Sequence, residues 1–447
     1  MHGMRMLALL TVSLFASLTT PAPGAQDATN VLYIISDDHH WADYSFMKHP
    51  HIQTPHLDKF ASQSAVFTRG YVPNSLCRPS LATRITGKYP HQRGGLGNDP
   101  APVPGVGKNM RNPQYAALRN GIIKNFASNT LLSNVLKDKG YLTLQTGKWW
   151  EGDPKDHGFT DAMTHGDITR GGRHGDEGLK ISRQGIDPIK EFLDKSAKEK
   201  KPFFIWHAPF LPHTPHNPPD RLLNKYKDKT DSIHVAKYWA MVDWFDETCG
   251  ELLAELDKRG LSENTLVIYV TDNGWIQQEN SGAYAPRSKR SPYDGGLRTP
   301  IMIRWPGKVT PGRDDKTLVS SIDMVPTVRA ACGLAPDDKL PGVNLLELVA
   351  PDFKKPDGRA AKRTTLYGDV YEHDIPDVND VNQGLAYRWI IEGKHKLIVP
   401  DDTGEEEHSD GNTNPHGLTN LAASKADIVS DLRKKLDAWW KPVAQKP

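Results

Sequence analysis

The chain has 447 residues, of which 37% are hydrophobic and 25% charged, with 37 Gly, 34 Pro and only 3 Cys. This composition excludes a disordered chain, a disulfide-stapled scaffold and a coiled coil or solenoid. The 56 Lys and Arg nearly balance the 54 Asp and Glu, so no strong net field draws the protein to nucleic acid or an anionic membrane. We expect one large domain, whose hydrophobic core is stable without disulfide bonds, and a smaller additional domain.

The first 25 residues predict a secretory signal peptide. Arg5 supplies a basic start, an apolar run covers 6–18, and small residues with prolines follow over 19–25. The apolar run is short for a membrane span, no later segment approaches one, and no Cys follows it to accept a lipid. We therefore expect an exported protein, periplasmic or extracellular, without a membrane anchor.

Strands and helices alternate after this segment. Continuous apolar runs predict strands over 30–36, 202–207 and from 265 to the polar residues at 272–274. A helix over 130–139 leads to a strand at 141–145, and helices over 187–198 and 231–259 precede the second and third strands. Runs that are apolar on both faces are typical of a sheet covered on both sides. The pattern predicts an α/β fold with a large, mostly parallel sheet flanked by helices.

The sequence changes character beyond about residue 355, where it becomes charged and rich in loops. Strands are predicted over 365–370 and 386–399, and a last helix over 425–440. We therefore divide the mature chain into an α/β domain over 26–355 and a C-terminal α+β subdomain over 356–447.

Acidic residues follow two of the predicted strands. Asp37 and Asp38 end the first, and Asp272 and Asn273 end the third. Ligands of parallel sheets collect beyond the carboxyl ends of the strands, and oxygen donors of this kind suit Ca²⁺ or Mg²⁺ rather than zinc. The alternative is that Asp and Asn are ordinary turn residues.

The segment 77–88 carries the sharpest local signal. Pro79 suits the first turn of a helix and Gly87 its end, so Cys77 is expected just before the helix N-terminus. Backbone NH groups there favour an activated nucleophile or a bound anion. The alternative is a buried or disulfide-bonded Cys, and Cys249 and Cys332 are either core residues or partners in a disulfide.

Segment 77–87 resembles the signature of the sulfatase family of the alkaline phosphatase superfamily, in which Cys or Ser is followed by Pro, Ser, Arg and a terminal Thr-Gly. Other family motifs match in the same order over nearly the whole mature chain, at 30–38, 54–58, 147–149, 212–216, 271–274 and 289–300. The resemblance implies an alkaline-phosphatase-like fold and a sulfuric ester hydrolase.

The resemblance also implies a mechanism. Cys77 would be oxidised by a formylglycine-generating enzyme, and a hydroxyl of the hydrated aldehyde would attack the sulfur of a sulfate ester. One divalent cation, with Ca²⁺ ahead of Mg²⁺, would be held by the modified Cys77 together with Asp37, Asp38, Asp272 and Asn273. Lys148 and Lys289 would contact the sulfate, and His213 would be the general acid for the leaving oxygen.

Two residues depart from the family pattern, because Leu81 replaces the Arg of the cysteine motif and Trp150 replaces the His of the Gly-Lys-Trp-His element. In the family, both of these residues face the formylglycine, and the Arg is also part of what the modifying enzyme recognises. Arg84 shares a helix face with Leu81, so we hypothesise that it partly replaces the missing guanidinium. The alternative is a solvated helix residue. Arg84, Trp150 and His216 are candidates for substrate contact or support.

The leaving group is read from less specific features. The basic loop 170–174 suits a uronate or second sulfate, and Trp41, Trp150 and Trp275 adjoin the site motifs and suit sugar rings. We expect a sulfated carbohydrate rather than a small aryl sulfate. The alternatives are a phosphate or phosphonate ester hydrolase of the same superfamily, and a catalytically degenerate protein that binds sulfated glycans.

Overall fold

A computed structural model describes residues 28–94, 96–351, 353, 358–401, 404–411, 417 and 419–443. The predicted signal peptide lies outside these described residues. Within them, no helix has both the length and the apolar character that crossing a lipid bilayer requires.

Fifteen strands occur in the described part of the chain. They are β1 (Asn30–Ser36), β2 (Ala65–Tyr71), β3 (Asp99–Pro100), β4 (Leu142–Gly147), β5 (Asp161–Ala162), β6 (Phe203–Ala208), β7 (Thr265–Thr271), β8 (Arg298–Arg304), β9 (Gly312–Asp314), β10 (Val319–Ser320), β11 (Thr365–Tyr371), β12 (Asp374–Ile375), β13 (Leu385–Glu392), β14 (His395–Pro400) and β15 (Glu407–Asp410).

Thirteen α-helices lie between or after these strands, again counting the described residues. They are α1 (Pro55–Ser62), α2 (Cys77–Thr86), α3 (Pro90–Arg93), α4 (Pro113–Ala127), α5 (Leu132–Asp138), α6 (Asp187–Glu199), α7 (Asp220–Leu223), α8 (Ile233–Lys258), α9 (Asp294–Leu297), α10 (Met324–Ala331), α11 (Leu346–Val349), α12 (Arg359–Lys362) and α13 (Ala426–Trp439).

A nine-stranded sheet forms the centre of the molecule, in the order β10-β2-β8-β7-β1-β6-β4-β5, with β9 also paired to β2. Strand β1 is parallel to both β6 and β7, and β4 is parallel to β5 and β6. Strand β8 is antiparallel to its two neighbours. The mostly parallel α/β sheet predicted from the sequence is confirmed.

Helices cover both faces of this sheet. Because side chains alternate along a strand, Val31, Tyr33 and Ile35 of β1 enter one core cluster, whereas Leu32 and Ile34 enter the other. Helices α2, α5 and α10 pack on the first face, and α1, α6 and α8 pack on the second. This two-sided burial explains why β1 is apolar throughout its length.

The C-terminal subdomain is built on a second, antiparallel sheet in the order β11-β13-β14-β15, with α13 packed against it. The single strand predicted over 386–399 is wrong, because the chain turns at Gly393 and returns as a hairpin of β13 and β14. Gly393 adopts a φ of 56°, which permits the tight turn. The short parallel pair of β3 and β12 links the subdomain to the main domain.

The three cysteines are buried and free. Cys77 and Cys332 belong to the core cluster on one face of the large sheet, and Cys249 belongs to the cluster on the other face. Cys249 and Cys332 are therefore core residues, and they are not partners in a disulfide.

Candidate functional site

The carboxyl ends of β1 and β7 bring four polar residues together. The backbone NH of Asp38 donates to Asp272 Oδ1 at 2.9 Å, and Asn273 Nδ2 donates to Asp38 Oδ1 at 2.7 Å. Asp38 has a φ of 57°, a left-handed conformation that Asp tolerates better than most residues. The parallel pairing of β1 with β7 thus joins the two acidic pairs that the sequence separates by more than two hundred residues.

Two lysines complete a buried network with these carboxylates. Lys148 follows β4 and places Nζ 2.7 Å from Asp37 Oδ1. Lys289, in the loop before α9, places Nζ 2.6 Å from Asp38 Oδ1. Burial lowers the pKa of Lys148, but Asp37 and its anionic neighbours raise that pKa more, so the ammonium stays charged. Both predicted sulfate-contacting lysines therefore lie at the acidic cluster.

Helix α2 begins at Cys77 itself, one residue earlier than the sequence predicts. Gly87 ends the helix with a φ of 70°. Asn98 Oδ1 accepts the backbone NH of Arg78 at 2.9 Å and so caps the first turn. Burial raises the pKa of the Cys77 thiol to about 12. The unmodified thiol is accordingly protonated, and a poor nucleophile, at neutral pH.

His213 faces the same cluster from the loop after β6. Its Nε2 lies 3.2 Å from Asp38 Oδ2, and its Nδ1 donates to the carbonyl of Thr214 at 2.6 Å. Burial, with Lys148 nearby, lowers the pKa of His213 well below its usual range, and Asp38 opposes that effect. The ring of Phe210 stacks on His213 with centroids 4.3 Å apart.

Four side chains in this region present ligand atoms within 4.8 Å of one another, namely those of Asp37, Asp38, Cys77 and His213. Three buried oxygens nearby have no hydrogen-bond partner: Asp37 Oδ2, Asp272 Oδ2 and Asn273 Oδ1. Buried acceptors without partners are costly, and a hard cation bound by oxygens removes that cost. The donor set therefore fits a divalent cation of the Ca²⁺ or Mg²⁺ type.

Arg84 lies behind this cluster, fully buried in α2. Its guanidinium donates to the carbonyls of Thr271 and Asp272 and, at 2.6 Å, to Ser80 Oγ, which itself donates to the Asp272 carbonyl. The alternative of a solvated Arg84 is wrong, because the side chain is fully buried and its guanidinium donates to carbonyls at the end of β7. The side chain supports the strand end that carries Asp272 and Asn273.

The two departures from the family pattern are neighbours in space. Leu81 and Trp150 line one small internal cavity, together with Arg78, Glu151 and Trp149. The ring of Trp150 lies beneath Lys148, with Nζ 5.1 Å from the ring centroid. The ammonium of Lys148 therefore has a cation–π contact in addition to its ion pair with Asp37.

Sequence reasoning missed several groups beside α2. Arg78 and Glu151 form a buried, two-pronged ion pair, with Arg78 Nε 2.8 Å from Glu151 Oε1. Glu151 lies two residues after the matched Gly-Lys-Trp element, which was the one available signal. Nothing local marked Asn98 or Phe210. His216 and Trp275 do adjoin each other, with ring centroids 5.9 Å apart.

The basic loop over 170–174 is not a free cationic surface. Arg170 pairs with Asp167, and Arg173 pairs with Asp99, which also binds the buried Arg119. Each arginine thus has a carboxylate partner in this structure, and contact of the loop with a uronate or second sulfate stays a prediction.

Two family models and several curated proteins match this chain. The family model described as Sulfatase matches residues 29–334, and the model for the N-sulphoglucosamine sulphohydrolase C-terminal region matches residues 282–441. The chain is 28% identical to human N-acetylgalactosamine-6-sulfatase, over 82% of this chain and 73% of the relative. It is 27% identical to bovine arylsulfatase A, over 96% of this chain and 85% of the relative.

A solved structure shares the fold. The protein BT4656, in complex with its substrate D-glucosamine-2-N,6-O-disulfate, superposes with a TM-score of 0.70 at 19% sequence identity, covering 92% of this chain and 97% of that one. The family model described as Sulfatase spans most of the chain. The chain belongs to the sulfatase family of the alkaline phosphatase superfamily and is a sulfuric ester hydrolase.

Proposed function

We propose that this protein hydrolyses a sulfate monoester of a carbohydrate, using a divalent cation and a formylglycine made from Cys77. The observation that carries the proposal is the set of three buried oxygens without hydrogen-bond partners at the ends of β1 and β7, where both lysines and Cys77 also meet the aspartates. The carbohydrate is inferred from the relatives, since the names of the human enzyme and the substrate of BT4656 both specify sulfated amino sugars.

The charges of the cluster support a cation. Three carboxyl groups, of Asp37, Asp38 and Asp272, face the two ammonium groups of Lys148 and Lys289, so the formal balance is −3 + 2 = −1. A divalent ion changes this to +1, which suits an anionic sulfate. Asp37, Asp38, Asp272, Asn273 and the modified Cys77 would hold it. When bound, such an ion supplies Lewis-acid polarisation and lowers the pKa of the nucleophile.

Lys148 and Lys289 bind and orient the sulfate in this proposal. Their Nζ atoms enter the cluster from different loops, each anchored on its own aspartate. Each ammonium also contacts an aromatic ring, since Lys148 lies over Trp150 and Lys289 lies 5.6 Å from the centroid of Trp275. Their positive charges are preorganised to stabilise the charge that develops on the sulfate oxygens.

His213 delivers the proton to the leaving oxygen. Both of its ring nitrogens face oxygen acceptors, Asp38 and the Thr214 carbonyl, so the contacts suit a doubly protonated ring. The negative charge of a bound sulfate ester adds to that of Asp38 and favours the imidazolium. His213 is also the most exposed of these groups, with 19% of its side chain accessible, which suits contact with the leaving group at the mouth of the site.

Cys77 needs modification to act as the nucleophile, because its buried thiol is protonated. Formylglycine would supply a hydrated aldehyde at this position.

We propose that residues 1–25 direct export and that the division near residue 355 separates the catalytic domain from the C-terminal subdomain. We further propose Arg84 and Trp150 as supporting residues and His216 as a candidate for substrate contact.

Mass spectrometry of the peptide containing Cys77, from protein made in the natural host, tests the nucleophile. Conversion to formylglycine lowers the mass of the Cys residue by about 18 Da through exchange of the thiol for an aldehyde. We expect that species in the active fraction. A free thiol in all of the active protein would rule out the formylglycine mechanism.

Rates on matched aryl sulfate, phosphate and phosphonate esters test the reaction. We expect the sulfate ester to be hydrolysed fastest and Lys148→Met to lose about 10²-fold or more of that rate. Arg313→Met, in an exposed pair with Asp315, is the control and should keep full activity. Preference for a phosphonate would support the related hydrolase, and binding of sulfated sugars without any turnover would identify a degenerate enzyme.

A further inference from the structure

The loop over 209–217, which carries His213, has little hydrogen bonding of its own. One backbone hydrogen bond ties it to the central sheet, from Asp37 N to the carbonyl of Leu211 at 3.0 Å. The loop is rich in proline, which removes backbone donors. A side chain from outside the loop must therefore hold its shape.

Arg183 makes three contacts along this loop. Its Nε donates to the carbonyl of Phe210 at 3.0 Å, its Nη2 to the carbonyl of His213 at 3.1 Å, and its Nη1 to Asn217 Oδ1 at 2.6 Å. The guanidinium also lies 5.4 Å from the Phe210 ring centroid. Because Phe210 stacks on His213, Arg183 fixes both the backbone and the ring packing of His213.

Arg183 itself stands on a rigid support. The preceding Ser182 donates its backbone NH to Gly185 and contacts His207 Nε2 through Oγ at 3.3 Å. His207 lies in the buried strand β6. The contacts thus run from the central sheet through the 182–185 turn to the His213 loop.

We propose that Arg183 is a positioning residue that holds the His213 loop, and with it the imidazole, in place beside Asp38. The inference rests on the proposed role of His213 as general acid. The planar fork of arginine matches the three acceptors, which are spread along the loop, whereas the single nitrogen of lysine does not reach them together. The geometry of the fork, rather than its charge, is what the loop requires.

The kinetic test compares wild type with Arg183→Met, Arg183→Lys and His213→Ala on sulfate esters of graded leaving-group basicity, from 4-nitrophenyl sulfate to an alkyl sulfate. General acid catalysis is worth about 10²–10⁴-fold and matters most for poor leaving groups. We expect both Arg183 variants to lose about 10-fold or more on the alkyl ester and little on 4-nitrophenyl sulfate. Adding Arg183→Met to His213→Ala should cost no more than His213→Ala alone.

Hydrogen exchange of peptides covering 209–217 tests the contact independently of turnover. We expect faster exchange there in both Arg183 variants, with unchanged exchange in β6, and no change in Arg221→Met, whose exposed pair with Glu247 serves as control. Unchanged exchange, or a rate loss equal for all esters and additive with His213→Ala, would overturn the proposal. A wild type inactive on every ester would refute the proposed function, while the exchange result would still decide whether Arg183 holds the loop.

Discussion

Arg84 donates to two backbone carbonyls at the end of β7, and both carbonyls lie where water does not reach. Arg84→Met keeps much of the side-chain volume but removes the side-chain donor to the Thr271 carbonyl, whereas the Asp272 carbonyl keeps its hydrogen bond from Ser80 Oγ. A buried acceptor that loses its donor costs about 1–3 kcal/mol, so we expect the free energy of unfolding in urea to fall by about that amount. A variant as stable as wild type would contradict this assignment.

The unpartnered oxygens predict a response to metal. With Ca²⁺ or Mg²⁺ at about a hundred times its dissociation constant, the free energy of unfolding should rise by about 2.7 kcal/mol, and a chelator should reverse the gain. Calorimetric or fluorescence-detected unfolding with and without the ion measures this. No shift with either ion would argue against a cation at this cluster.

Asp272→Asn identifies the ligand oxygen with little change of shape. The amide oxygen can still accept from the NH groups of Asp38 and Asn273, as Asp272 Oδ1 does, while the unpartnered Oδ2 becomes an NH₂ group. We expect the metal affinity, obtained from the metal-dependent stabilisation, and the turnover rate each to fall by about tenfold or more. The matched control is Asp167→Asn in the exposed pair with Arg170, which should respond to metal as wild type does.

At the scale of secondary-structure elements, Gly147 decides how closely β4 approaches β6. It has a φ of 82°, and a Cβ there would lie 1.8 Å from the carbonyl oxygen of Ala208. Gly147→Ala must push the strands apart directly before Lys148, so we expect a loss of more than about 4 kcal/mol or insoluble protein. Gly140→Ala, at a φ of 93° with open space around it, should cost only about 1 kcal/mol. Equal stability of the two variants would contradict the steric argument.

The contact between α8 and α1 predicts a pH dependence of stability. Asp246 accepts the backbone NH groups of His56 and Leu57 at the start of α1, and burial raises the pKa of its carboxyl to about 7 despite those bonds. An unfolded Asp titrates near about 3.9. The folded state therefore keeps a proton that the unfolded state has lost between these values, so this contribution to stability is fully present below about pH 4 and is lost as the pH rises through 7.

Asp246→Asn removes that titration because the amide stays neutral. Between about pH 5 and pH 7.5, wild type should lose about 2–3 kcal/mol more unfolding free energy than the variant. Urea denaturation at the two pH values measures the difference. Parallel pH profiles for the two proteins would show that the carboxyl titrates normally.

At the scale of the whole molecule, the large sheet separates Cys249 from Cys332 and so predicts the number of free thiols. Cys249 and Cys332 lie on opposite faces and cannot pair without unfolding. We expect no fast-reacting thiol in the folded protein, because all three side chains are buried. After denaturation, a thiol reagent should find two thiols if Cys77 is converted and three if it is not. In denatured protein without reductant, a disulfide would lower these counts by two, to none if Cys77 is converted and to one if it is not.

The linear sequence determined the alternation of strands and helices and the positions of the strand ends. Continuous apolar runs of strand length, closed by Asp-Asp or Asp-Asn, are a local property, and parallel sheets align carboxyl ends regardless of the loops between them. That rule alone predicts that Asp37, Asp38, Asp272 and Lys148 lie together at the carboxyl edge of the large sheet. It failed where a turn was short, as at Gly393, which splits a predicted strand into a hairpin.

The tertiary structure alone decided which side chains support the site. Arg84 reaches a carbonyl 187 positions later, and Arg183 reaches a loop about 30 positions later, so no local pattern separates them from solvated arginines. Likewise, only packing places Leu81 beside Trp150. Chemistry-bearing residues follow strand ends and can be read from the sequence, whereas the partners of a buried guanidinium depend on how distant segments pack, which the sequence does not display.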